Sequence, residues 1–341
     1  MTDRPSLARA FLLEAKWADA QMKLLAGDAS NRKYHRLTSP ETGETAVLMD
    51  APPAKGEDVR PFVYIAKYLS SIGLSAPRIL AEDNAQGFLL IEDLGDALFT
   101  RVAADHPTLE KTLYTAATDA LIDLHKHAPP LDLESYDSAL MSDMAILSFD
   151  WYAAAVEQPT IEARHDFHTA ICDVLTDHVA DGSVLIQRDY HAENLLWLPD
   201  RVGIARVGLL DFQDAMLGHR AYDLVSLLQD ARRDVPHEIE REMINRYVAA
   251  TNVIPEDFES AYRCLGAQRN LRILGVFTRL CIRDGKSSYI DLIPRVWEHL
   301  RHDLAHPALT KVAEIIKTKL PEPMPQTLQI LKDKCATVPT Q

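Results

Sequence analysis

Residues 184–223, VLIQRDYHAENLLWLPDRVGIARVGLLDFQDAMLGHRAYD, constrain this chain more than any other stretch. Two short apolar runs, 195–198 and 207–210, flank the turn residues Pro199 and Asp200. Run, turn, run is the pattern of a tight antiparallel strand pair. Asp189 and Asn194 precede the first run and Asp211 follows the second, so a hairpin draws three oxygen-bearing side chains toward one place. Two carboxylates and an amide oxygen suit a hard cation such as Mg²⁺, which takes oxygen ligands and leaves positions for phosphate. Taken singly, each residue reads as a solvated turn or cap. The ordered set is what points to chemistry.

The protein-kinase core carries the same spacing: an Asp, an Asn five residues later, then the Asp that opens D-F-x. Here the series is Asp189, Asn194 and Asp211-Phe212-Gln213. In that grammar Asp189 accepts the proton of the attacking hydroxyl, while Asn194 and Asp211 hold Mg²⁺ against the phosphates of ATP. The run from Asp189 to Asn194 resembles the D-x-H-x-x-N form of the aminoglycoside-phosphotransferase and choline-kinase group. The wider text, RDYHAENLLWLP and LLDFQDAMLGHRAYDLVSLLQDARRD, is similar to the bacterial N-acetylmuramate/N-acetylglucosamine kinases, which phosphorylate the anomeric C1 hydroxyl in peptidoglycan recycling. GDASNRKYHR, VLMDAPP, GFLLIEDLGD and QRNLRILGVFTRL share the resemblance, which runs from about residue 24 to 300. It implies an α+β, bilobal protein-kinase-like fold. Residues 1–93 are the expected small antiparallel-sheet N-lobe with one helix, and 94–341 a larger, mainly helical C-lobe.

A chain of 341 residues with 47% hydrophobic side chains buries a sizeable core. Its net charge of −14 argues against nucleic-acid or anionic-membrane partners, which need a basic surface. ATP is still permitted, because a metal and a few local donors meet its phosphates. No run approaches the ~20 apolar residues of a membrane span, and the N-terminus lacks a signal-peptide pattern. Cys172, Cys264, Cys281 and Cys335 lie far apart, so reduced thiols and a cytoplasmic location are expected. No obligate protein partner is inferred.

Toward the N-terminus residues 1–20 are expected to form a helix, then come strands at 22–26, 33–38, 45–49, 79–81 and 88–91, with one helix at 59–72. The turn Gly27-Asp28-Ala29-Ser30-Asn31-Arg32 falls where kinases place a phosphate-covering loop. Ser30, Asn31 and Arg32 offer donors to phosphate, although one Gly matches G-x-G-x-x-G poorly. The kinase strand-3 Lys is missing: Ala46-Val47-Leu48 ends in Met49. Arg36 and Arg32 are the candidate substitutes. Glu57 and Asp58 either pair with that cation or supply negative charge near a helix start. By the resemblance, the backbone of Glu92, Asp93 and Leu94 is the hinge that reads adenine.

Beyond the hinge, helices are expected at 109–127, 144–156, 161–180, 221–232, 238–251, 259–284, 290–305 and 307–319, with the Pro-punctuated end from 321 wrapping the surface. Asp223 reads as an N-cap, and in the resembled group this Asp also braces the catalytic loop. Candidate amino-sugar contacts are His191, Glu193, Gln213, Asp214, Arg233 and Arg269, the arginines suiting a lactyl carboxylate. One rival is an aminoglycoside 3′-phosphotransferase. Another, motivated by Met49, is a nucleotide-binding pseudokinase scaffold.

Overall fold

The apolar runs TAVLMD and FLLIE lie side by side at the centre of an antiparallel sheet in the computed structural model, which describes residues 3–26, 31–180 and 182–338. Contacts divide the chain into two units: Met1–Pro130 with Ala192–Ala215, and Leu131–His191 with Met216–Gln341.

In the first unit the sheet has five strands in the order β1-β2-β3-β5-β4: β1 (Gln21–Ala26), β2 (Lys33–Thr38), β3 (Thr45–Asp50), β4 (Ile79–Asp83) and β5 (Phe88–Glu92). Alternate residues of a strand face opposite sides. Ala46, Leu48, Phe88 and Leu90 pack with Phe11 and Leu12 of α1 (Arg4–Glu14) in one buried cluster. The opposite parity, Val47, Met49, Leu89 and Ile91, is also buried, so β3 and β5 are covered on both faces. The helix α2 (Arg60–Ser71) buries Phe62, Val63, Ile65, Ala66 and Leu69, and Pro61 sits in its first turn, where no N–H is needed. The unit is completed by α3 (Phe99–Asp105), α4 (Glu110–Leu124) and the ribbon β7 (Leu195–Trp197)–β8 (Val207–Leu209).

The second unit is built on α10 (Pro255–Ile282), which is buried on nearly every side. Its buried residues include polar Gln268, Arg269 and Asn270 beside the apolar ones, and these make hydrogen bonds inside the unit. Against it pack α5 (Ser138–Ala145), α7 (Ile161–His178), α8 (Tyr222–Leu228), α11 (Ile293–Leu304) and a π-helical turn, Ser148–Ala153, that runs into α6 (Ala154–Val156). Two further strands, β6 (Val184–Ile186) and β9 (Met216–Gly218), pair antiparallel. The remaining helices are α9 (His237–Thr251), α12 (Thr310–Lys319) and α13 (Pro325–Asp333). Among the described residues no helix is long and apolar enough to cross a membrane, and all four cysteines are free thiols.

The five N-terminal strands and α2 fall where expected, within a residue or two at their ends. Three expectations fail. The first helix stops at Glu14, because Lys16 turns into the left-handed region (φ 63°) and the Trp17 amide bonds back to Leu12 O. The segment 144–156 is not one helix but the end of α5, a π turn and a short α6. The tail from 321 does more than wrap: Pro325 opens α13, whose Leu331 is fully buried. A proline at a first helical position starts a helix as readily as it ends one.

Close approach explains Gly275 in α10. A Cβ there would lie 2.3 Å from both the carbonyl carbon and oxygen of Leu147, backbone that cannot step aside. Gly275→Ala is therefore expected to destabilise the protein by about 1–3 kcal/mol despite the higher helix propensity of Ala. The denaturant midpoint measures it; an unchanged or raised midpoint contradicts this packing.

Candidate active site

The ribbon β7–β8 pairs Leu195 with Leu209, Leu196 with Gly208 and Trp197 with Val207. The Leu210 amide then donates to Asn194 O at 2.9 Å, carrying the ladder to the ribbon's open end. Its two edges are held by Trp197 N–H on Ala97 O (2.8 Å) and Leu209 N–H on Ser75 O (2.9 Å). Asn194 and Asp211 thereby meet: Asn194 Nδ2 lies 3.5 Å from Asp211 Oδ2, and Gln213 Nε2 donates to Asp211 Oδ1 at 2.8 Å. Asp211 sits in the left-handed region (φ 57°), a conformation that costs a non-glycine residue energy. The next side chain secures it. Phe212 is fully buried and stacks on Phe62 of α2 with centroids 4.8 Å apart.

The donors are of the right kind for a hard cation: a carboxylate and an amide that also carries a carbonyl oxygen. Among the described residues no three of His, Cys, Asp and Glu gather as metal ligands. An Asn–Asp pair of this kind would leave an ion to take its other oxygens from phosphate and water.

Arg32 and Glu57 form an ion pair at 2.7 Å, and Glu57 also accepts the Asn31 amide at 3.1 Å. Glu57 precedes α2 and Arg32 precedes β2, so the pair ties the strand end to the helix start. Tyr34 is paired with Met49 across β2 and β3 and shares its face. Burial raises the Tyr34 pKa, Arg32 opposes that, and the charges of Asp211 and Glu57 add to it. Arg32, Tyr34, Glu57 and Asp211 are therefore one electrostatic group. Met49 itself is fully buried. Ser30 lies outside the described residues. Asp58 pairs with exposed Arg60.

Arg36 has other partners. It bonds Asp96 at 2.6 Å and Asp93 at 2.7 Å, and these two carboxylates hold its pKa above the ordinary value. Asp93 also accepts the Gly95 amide at 3.0 Å, and Glu92 bonds Arg201 at 2.8 Å and Arg78 at 3.2 Å. The segment 92–96 is held by side chains, while Leu94 is half-buried.

In the second unit the turn before Asp189 is fixed by Asp223. Its buried carboxylate accepts Gln187 N–H at 2.6 Å and Arg188 N–H at 2.9 Å. Arg188 is left-handed (φ 71°), and Ser226 Oγ bonds its carbonyl at 3.3 Å. Asp223 is thus a brace and not the N-cap, a position held by Ala221. Burial pushes the Asp223 pKa to about 7, against the two N–H donors and with Asp189 adding negative charge. Burial likewise lowers His191 to about 4, so its ring is neutral at pH 7.

The expected acceptor contacts divide between the units. Glu193, Gln213 and Asp214 lie in the first; His191, Arg233 and Arg269 lie in the second. Glu193 and Asp214 are exposed, Arg233 is half-buried and His191 is buried. Gln213 is engaged by Asp211. Arg269 is buried and bonds Ser226 Oγ (2.9 Å) and Gln229 O (3.3 Å), which makes it a brace of α8. Strand register, had it been drawn from the sequence, would have placed Tyr34 beside Met49. The stack of Phe212 on Phe62 had no local signal.

The model of the Phosphotransferase enzyme family matches residues 21–263. A Caulobacter vibrioides protein named N-acetylmuramate/N-acetylglucosamine kinase is 38% identical, the match covering 91% of this chain and 95% of that one. A Pseudomonas aeruginosa protein of the same name is 36% identical over 87% and 88% of the two chains. The crystal structure of a choline/ethanolamine kinase family protein from Mesorhizobium loti superposes with a TM-score of 0.58 at 14% identity, covering 92% and 99%. That likeness bears out the expected α+β, protein-kinase-like fold.

Asp223 generates a pH signature. Its native carboxyl keeps its proton up to about 7, whereas the ordinary value is 3.8. The folded state therefore binds the extra proton between these values, and its stability falls as pH rises through that window. In urea titrations from about pH 4 to 7.5, the stability advantage of wild type over Asp223→Asn should shrink as pH rises; a constant or growing difference contradicts the assignment.

Proposed function

This chain belongs to the Phosphotransferase enzyme family, and on that premise we propose that it transfers the γ-phosphoryl group of ATP to the anomeric hydroxyl of an N-acetylated amino sugar. The acceptors are N-acetylmuramate and N-acetylglucosamine, and the setting is cytoplasmic cell-wall recycling. The observation that carries the chemistry is the meeting of Asn194 and Asp211 at the open end of the ribbon. The choice of acceptor draws on relatives aligned along nearly the whole chain.

Asp189 accepts the proton of the C1 hydroxyl as it attacks. An anomeric hydroxyl is more acidic than an ordinary alcohol, so the base need supply less driving force. Transfer is direct and in line, with no phospho-enzyme, and positioning does most of the work. Asn194 and Asp211 hold Mg²⁺, which when bound neutralises charge on the phosphate oxygens. The backbone at Glu92, Asp93 and Leu94 reads adenine, and Ser30, Asn31 and Arg32 cover the phosphates. Arg32, paired with Glu57, takes the part of the missing strand-3 Lys. Arg36, engaged by Asp93 and Asp96, stiffens the adenine segment and reaches the nucleotide only through it. Glu193, Gln213 and Asp214 of the first unit and His191 and Arg233 of the second remain the candidate acceptor contacts, while Arg269 is a brace of α8.

Transfer from ATP with Mg²⁺ to N-acetylglucosamine, N-acetylmuramate, kanamycin and choline tests the reading. Transfer to the two amino sugars is expected. Transfer to kanamycin alone identifies an aminoglycoside kinase, and ATP binding without any transfer a scaffold. Asp189→Asn is expected to lower kcat by roughly 10²–10⁴-fold with ATP affinity almost unchanged; a large residual kcat means the base is elsewhere. Arg32→Met should weaken ATP binding more than Arg36→Met does, and the reverse order in a calorimetric titration removes Arg32 from the phosphate role.

A further inference from the structure

The turn of the β7–β8 ribbon carries an arginine that joins it to residues 126 and 109 positions earlier in the chain. Arg201 follows Pro199 and Asp200, and its amide bonds Leu198 O at 3.1 Å, which closes the turn. Its carbonyl accepts Arg206 Nε at 3.0 Å. The guanidinium forks: Nη1 donates to Ser75 Oγ at 2.7 Å and Nη2 to Glu92 Oε1 at 2.8 Å.

Both acceptors belong to parts of the first unit already tied to the site. Ser75 is buried; its hydroxyl donates to Ala205 O at 2.6 Å, and its carbonyl accepts the Leu209 amide at 2.9 Å. Leu209 ends β8 two residues before Asp211. Glu92 ends β5 and opens the segment 92–94 proposed to read adenine. Segment and ribbon also touch directly, since a Cβ on Gly208 would stand 3.2 Å from Leu94 Cδ1. The Glu92 side chain is 16% exposed and that of Arg201 34%, which separates this pair from a surface pair of little worth. Arg78, on the other oxygen of Glu92 at 3.2 Å, is of that weaker kind, being 71% exposed.

We propose that Arg201 is a positioning residue that holds the adenine segment in register with the metal-bearing ribbon, so that base discrimination and the grip on Mg²⁺ depend on one side chain. The inference rests on the nucleotide reading above and deepens it. A guanidinium donates from fixed directions in one plane, so bonding two partners at once sets the distance and angle between them. Lys offers a compact charge without that fork. Groups behind metal ligands tune affinity for the metal by holding those ligands in place; here the same group also holds the base-reading backbone.

Calorimetric titration with ATP and with GTP, each with and without Mg²⁺, reads both effects and needs no acceptor. In Arg201→Met the preference for ATP over GTP should fall by roughly tenfold, and the gain in ATP affinity on adding Mg²⁺ should shrink several-fold. Arg201→Lys should fall between this variant and wild type, and Arg78→Met should change both ratios less than Arg201→Met does. Glu92→Met should reproduce the lost base preference. Combined with Arg201→Met, it should cost no more of that preference than the larger single change. Should Arg201→Met fail to fold, Arg201→Lys and Glu92→Met decide by the same ratios. A lower Tm with both ratios unchanged gives Arg201 a purely structural role and overturns the proposal. Losses that add in the double variant, or a wild type without preference for ATP, overturn it too. A wild-type protein that binds neither nucleotide overturns the nucleotide reading itself.

Discussion

The hydrogen bond from the Leu210 amide to the Asn194 carbonyl closes the ladder of the β7–β8 ribbon, and the arrangement around Asp211 depends on it. Two residues separated by 17 positions in sequence become neighbours through this ladder. The ribbon is itself bonded along both edges, to Ala97 and to Ser75, so its open end cannot drift relative to the sheet-bearing unit. With that end fixed, the left-handed turn at Asp211 is tolerated because Phe212 is stacked in the core behind it. The Asp189 turn follows the same scheme. Arg188 is left-handed and a buried carboxylate holds the two amides that begin the turn. At both places strain in the backbone is offset by a buried side chain adjacent in space.

What was legible in the sequence was what periodicity and turn chemistry encode. The strand-like runs 33–38, 45–49 and 88–91, set off by turn residues, marked the strands, and the spacing Asp189–Asn194–Asp211 marked the ribbon. Helix interruptions were not legible. The π turn at Ser148–Ala153 meets α10 where Gly275 leaves room for Leu147, a contact between segments far apart in the chain. The tail was misread because Pro325 ends a loop and begins a helix with the same ring.

Side-chain commitments were the least visible. Arg36 and Arg32 sit at similar distances from Met49 in the sequence, and nothing local separates them. Tertiary pairing does: one is engaged by Asp93 and Asp96, the other by Glu57. Arg269 reads as an available cation until the burial of α10 is known, and Asp223 reads as a cap until the two amides that donate to it, Gln187 and Arg188 just after β6, are seen. In each case the residue type was informative and its partner was not.

Met49, fully buried at the end of a central strand, has a consequence for how such chains are sorted. In the reading offered here the phosphate-facing cation has moved from the third strand to the entrance of the second and changed from an amine to a guanidinium. Reagents that acylate an amine beside a bound nucleotide would find none at the usual place. A survey that counts kinases as living or dead by that one amine would file this chain among the dead.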